Sequence, residues 1–131
     1  MMDETLTIEQ ARMLSPLQLA YIGDAVHALI VRRYLLSRNM PVKKMHQLSV
    51  RAVCAVNQNK AMESILSLLS EEELSIAKRG RNAHPHHGGP KGATTSEYAN
   101  ATGLEALIGF LYITGNSERL TELTPYLLPE D

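Results

Sequence analysis

Two carboxylates stand alone in apolar surroundings. From Met13 to Val31 the only formally charged residue is Asp24, within LQLAYIGDAVHALIV, and from Tyr98 to Ser117 the only one is Glu105, within ATGLEALIGFLYI. Each stretch reads as a helix that is apolar nearly all round, so each helix is expected to be largely buried. A carboxylate in such a place is costly unless a cation or hydrogen-bond donors compensate it. Neither acid has a Lys or Arg three or four residues away on its own helix. Compensation must come from another element, as an arginine, or from a metal ion. If the helices cross near Asp24 and Glu105, the carboxylates converge and a hard divalent cation such as Mg²⁺ is the natural counter-charge. Gly23 and Gly103, close to the two acids, would let backbones approach. A buried ion pair that merely ties helices together is the competing reading.

The elements that must position these acids can be read from caps and breakers. Ser15-Pro16 opens a helix that runs to about Ser37, before Asn39 and Pro41. A second helical pattern covers roughly Val50 to Leu69. Ser70-Glu71-Glu72-Glu73 is a capping box for a third helix, expected to reach about Lys78. RGRNAHPHHGGPKGATT, rich in Gly and Pro, reads as a loop from about Gly80 to Thr94. A fourth helix spans about Ser96 to Thr114 and stops at Gly115-Asn116, and a short last one starts after Ser117. With no alternating strand pattern, the class is all-α.

The chain has 131 residues, 44% of them hydrophobic and 21% charged, which is the size and composition of one globular domain. One cysteine, Cys54, excludes an internal disulfide framework, suits a reducing compartment, and reads as a core residue. MMDETLTIEQ has no apolar stretch of the signal-peptide kind, and no run of 18 apolar residues suggests a membrane span, so a cytoplasmic protein is expected. A net charge of −1 hides a segregated pattern. Ala25–Met62 holds seven bases and no acid, and Leu74–Ser96 four bases and no acid. Such blocks can face phosphates, although solvated basic surfaces are common. His84, His86 and His87 read as an exposed loop rather than a metal site, and His27 and His46 as structural. His27, one turn after Asp24, also has the spacing to support it.

YIGDAVHALIVRRYL together with GLEALIGFLY resembles the two signature helices of the ribonuclease III catalytic domain. The matches are Ile22, Gly23, Asp24, Ala25 and Val26 in the first motif and Glu105, Ala106, Leu107, Ile108 and Gly109 in the second. The resemblance runs from about Pro16 to Leu128 of a single domain spanning 1–131, leaving no room for a double-stranded-RNA-binding domain. That, with KRGRNA at Lys78–Ala83, resembles the mini-ribonuclease III branch of the family. The fold implied is the helical bundle of the ribonuclease III endonuclease domain. The activity implied is metal-dependent hydrolysis of double-stranded RNA, leaving 5′-phosphate and 3′-hydroxyl ends. The ions implied are Mg²⁺, or Mn²⁺ in its place, held by Asp24 and Glu105 as the catalytic pair. The assembly implied is a homodimer, with Tyr21, Ile22 and Ala25 near its interface. The branch implies maturation of the large-subunit (23S) ribosomal RNA precursor.

Where the larger enzymes carry further acids, four residues before the Asp and three before the Glu, this chain has Ala20 and Thr102. Without an appended RNA-binding domain the chain must grip RNA itself, and Lys78, Arg79, Arg81, Asn82 and Lys91 are the candidates. The alternative is a non-catalytic domain of the same fold that binds structured RNA without cutting it.

Overall fold

The computed structural model describes residues 4–83 and 92–129. Seven α-helices are formed among them: α1 (Ile8–Met13), α2 (Pro16–Leu36), α3 (Val42–Ala52), α4 (Ala55–Ile65), α5 (Glu71–Asn82), α6 (Thr95–Ile113) and α7 (Ser117–Leu123). Single 3₁₀ turns follow α4 at Leu66–Leu68 and α7 at Thr124–Tyr126. No strand occurs among the described residues, so the all-α bundle expected from the sequence is the observed architecture.

Local chemistry starts most of these helices. Thr7, Ser15, Ser70 and Thr94 each close a reciprocal capping box, accepting from the backbone N–H three residues on. The partner Gln or Glu side chain accepts from the cap residue's own N–H, so two orphan donors are satisfied at each start. Gly115, at φ +76°, ends α6 in the left-handed region that a glycine adopts at no steric cost. The Thr7 box opens α1, which the sequence reading above does not anticipate.

Helix α6 is the axis of the molecule, packed against α2, α5 and α4. Leu104, Ala106, Leu107, Ile108, Phe110 and Leu111 are all buried there, as its apolar sequence requires. Leu19, Val26, Met62, Ile65 and Ile76 close the same core from α2, α4 and α5. A smaller cluster of Val31, Leu35 and Ala52 seats α3 on the second half of α2. The expectation for α2 itself needs correction, because only one side of it is covered in the single chain. Leu17, Tyr21 and Leu29 lie on its other side, and Tyr21 is 84% exposed.

Further expectations are corrected. The pattern over Val50–Leu69 is two helices, not one, with a break at Val53 and Cys54. The chain must turn there, because α3 packs on α2 whereas α4 packs on α6. The amide of Asn57 donates to the Arg51 carbonyl at 2.7 Å, capping the end the break exposes. Cys54 is thereby the exposed N-cap residue of α4 rather than part of the core. Helix α5, in turn, continues four residues past Lys78 to Asn82. Gly80 does not break it: a Cβ there would meet Ala106 and Gly103, so glycine serves the approach of α5 to α6. His46 is exposed on α3, with no structural role in the core.

Candidate active site

The crossing of α2 and α6 is built on glycines. A Cβ on Gly23 would overlap the Glu105 carbonyl, and one on Gly109 would overlap the Leu19 carbonyl. Backbone therefore lies directly on backbone at this point, and the residues beside it are forced together. Gly103, expected to share this contact, instead faces the Ala77 carbonyl of α5.

The crossing brings Asp24 and Glu105 side by side, the convergence the sequence suggests. Asp24 is exposed and Glu105 half-buried. Burial, then the charge of Asp24 and a hydrogen bond shared with it, push the Glu105 carboxyl up to about 8, against a slight opposing pull from Gln58. Among the described residues no Lys or Arg pairs with either acid. The ion-pair alternative does occur in this protein, at a different acid. Glu73, only 7% exposed, accepts from Arg119 at 2.8 and 2.9 Å, and that guanidinium holds its carboxyl below the usual range. Arg119 also donates to the Leu68 carbonyl, so this pair ties α5, α7 and the 3₁₀ turn together.

The surroundings of Glu105 contain a residue the sequence reading misses. Gln58 of α4, 3% exposed, places its amide nitrogen 3.5 Å from Glu105 Oε2 and 3.1 Å from His27 Nδ1. His27 Nε2 lies 2.9 Å from the Leu127 carbonyl, and burial lowers the imidazole pKa, keeping the ring neutral. His27 thus reaches Glu105 through Gln58, and the charge of Asp24 also acts on its ring. A signal was present: Gln58 occupies the inward stripe of α4 with Ala61, Met62 and Ile65, where an amide is out of place unless it is bonded. On the other side of His27 a cleft of about 360 Å³ opens between α4 and the C-terminal turn, lined by Arg51, Lys60 and Tyr126 among others but by neither carboxylate.

Ala20 is buried and brings no donor atom, and Thr102 donates its hydroxyl to the Tyr98 carbonyl at 3.0 Å. Among the described residues no group of three or more His, Cys, Asp or Glu side chains forms a metal cluster, so the centre is a carboxylate pair. Lys78, Arg79, Arg81 and Asn82 are exposed on the last turn of α5. Lys78, Arg79 and Asn82 line one shallow groove. That turn abuts α6 at Thr102, Gly103 and Ala106, the stretch that carries Glu105. Lys91, His84, His86 and His87 lie outside the described residues. No helix among the described residues is long and apolar enough to cross a membrane.

Residues 17–116, which hold both carboxylate helices, match the ribonuclease III domain. The class is therefore an endoribonuclease. Two curated relatives are a mini-ribonuclease 3 from Thermoanaerobacter sp. (strain X514) and one from Symbiobacterium thermophilum. The first is 45% identical over 92% of this chain and 84% of its own length, and the second 44% identical over 84% and 85%. A Fusobacterium nucleatum protein of known crystal structure superposes with a TM-score of 0.79 at 32% identity, covering 87% of this chain and 91% of that one. The chain belongs to the ribonuclease III family, among the mini-ribonuclease 3 proteins.

Proposed function

We propose that this protein is a divalent-metal-dependent endoribonuclease that cuts double-stranded RNA as a homodimer, leaving 5′-phosphate and 3′-hydroxyl ends. Its substrate is the precursor of large-subunit (23S) ribosomal RNA in the cytoplasm, a reading supported by likeness to the mini-ribonuclease 3 proteins alone. The observation that carries the catalytic reading is the meeting of Asp24 and Glu105 with no basic side chain among the described residues to neutralise them. Two adjacent carboxylates that resist joint ionisation have the donor chemistry of a hard divalent cation. Asp24 and Glu105 would hold Mg²⁺, or Mn²⁺ in its place. Bound there, the ion supplies an activated water and positive charge for the phosphate oxygens.

The chain's own side chains do the rest. Asp24 is accessible to a bulky duplex, and the glycine-built crossing fixes it against Glu105. Lys78, Arg79, Arg81 and Asn82, with Lys91, contact phosphates and 2′-hydroxyls across an A-form minor groove. The test is cleavage of a labelled RNA duplex with and without Mg²⁺. Asp24→Asn and Glu105→Gln should each lower the rate more than about a hundredfold, a loss near 3 kcal/mol of transition-state stabilisation, with the fold kept. The double variant should lose little more, since both groups serve one centre. An Asp24→Asn protein that cleaves at the wild-type rate refutes the assignment. Duplex binding by the wild type with no cleavage under Mg²⁺ or Mn²⁺ favours the non-catalytic alternative.

A further inference from the structure

A carbonyl oxygen only accepts, so the 2.9 Å contact between Leu127 and His27 requires the proton on Nε2. A neutral imidazole protonated at Nε2 presents a lone pair at Nδ1. The Gln58 amide must then turn its nitrogen, not its oxygen, toward His27, as the 3.1 Å contact has it. That nitrogen has a second hydrogen, and Glu105 Oε2 lies 3.5 Å away to receive it. The orientation of the amide is thus dictated from the C-terminal turn, two hydrogen bonds from the carboxylate. Were the amide reversed, its oxygen would face Glu105 and offer the ionised carboxylate no donor.

The geometry points to Gln58 as a positioning residue for Glu105, aimed by the Leu127 carbonyl through His27. An amide suits the task better than a lysine or arginine would. It fixes one carboxylate oxygen by donating to it, yet leaves the negative charge uncancelled for a cation. Loss of a group that orients a metal-ligating side chain in this way typically costs about 10–100-fold in metal affinity. The inference rests on the reading of Glu105 as a metal ligand.

The test uses Gln58→Met, which keeps length and bulk and removes the donor. Mn²⁺ binding followed by electron paramagnetic resonance should weaken about tenfold in this variant, with its helical circular dichroism unchanged. Turnover should fall with the KM for duplex RNA unaltered, a split that a purely structural role would not produce. Mn²⁺ affinity within twofold of wild type overturns the proposal. Nitrogen-15 spectra of His27 in the unaltered protein give a second decision, independent of whether the variant folds. A proton on Nε2 with Nδ1 bare supports the chain of bonds, and a proton on Nδ1 overturns it. Glu105→Gln separates the two levels of the argument. If it leaves Mn²⁺ binding intact, the metal reading fails and the positioning role with it. If it abolishes binding while Gln58→Met does not weaken it, only the positioning role falls.

Discussion

Glu105 makes the metal-free protein sensitive to pH in a direction opposite to ordinary acid denaturation. Its folded pKa of about 8 lies above the usual 4.5, so between those values the folded state keeps a proton that the unfolded state has released. Stability therefore falls as pH rises through that window. His27 works the other way: its folded pKa is lowered from 6.5, so it costs stability only as pH drops below 6.5. Between pH 6.5 and 8 the Glu105 effect runs unopposed by His27. Over that interval the metal-free protein should lose about 2 kcal/mol and melt several degrees lower. Glu105→Gln should flatten the slope, and saturating Mg²⁺ should flatten it as well, because the bound ion displaces the proton, with release of close to one proton per centre at pH 7. Melting curves of wild type and variant across this range check the claim, and parallel slopes would remove Glu105 as the cause. The two acids were legible in the sequence because a charge contrasts with apolar neighbours. Gln58 left a fainter mark, an amide on the apolar stripe of α4, and its role could not be read from it because its partners lie 31 and 47 residues away.

At the scale of elements, the site is a property of how closely two helices pack. Gly23 and Gly109 let α2 and α6 touch backbone to backbone, with the Ile22 side chain packed beside the contact. In Gly23→Ala the methyl meets the Glu105 carbonyl and the Gly109 nitrogen, neither of which can rotate away. The helices must separate, at a cost of about 3 kcal/mol or more. Urea denaturation should show this loss, and the folded fraction should cleave poorly because Glu105 has moved with its helix. A variant as stable as wild type would mean that the crossing tolerates a wider spacing. The sequence placed most helix starts, because a capping box is a local device written in four residues. It did not show the break at Cys54 or the extension of α5 through Gly80. Both follow from which neighbour a stretch packs on, and local propensity does not contain that information. Gly80 in particular carries the usual mark of a breaker, yet it is a contact residue inside a helix.

At the scale of the whole molecule, RNA must be held and both its strands reached. Under the proposed function, the exposed bases at the end of α5 would serve the first need through phosphates, whose contribution is independent of sequence and sensitive to salt. Arg79→Ala with Arg81→Ala should weaken binding to unrelated duplexes alike and reduce the salt slope by about two. An unchanged slope would leave these side chains as solvated surface. The second need calls for two centres, because each chain carries one carboxylate pair. The stripe Leu17, Tyr21, Ala25 and Leu29 runs along α2 at helical spacing, uncovered in the single chain, with Asp24 beside it. An isologous pairing through this stripe would bury it and set two Asp24 side chains near one two-fold axis. In the sequence this helix looked buried all round; the single chain covers one side, and in the proposed dimer a second copy would cover the other. Tyr21→Glu introduces a charge where two such residues would meet, so it should shift the sedimentation of micromolar protein from dimer to monomer. The monomer should retain its helices, because Tyr21 contributes little to the core of its own chain. On a duplex labelled in both strands it should lose paired cuts far more than single nicks. A wild type that sediments as a monomer at micromolar concentration refutes the dimer. A Tyr21→Glu protein that stays dimeric and cuts both strands together refutes this face as its interface.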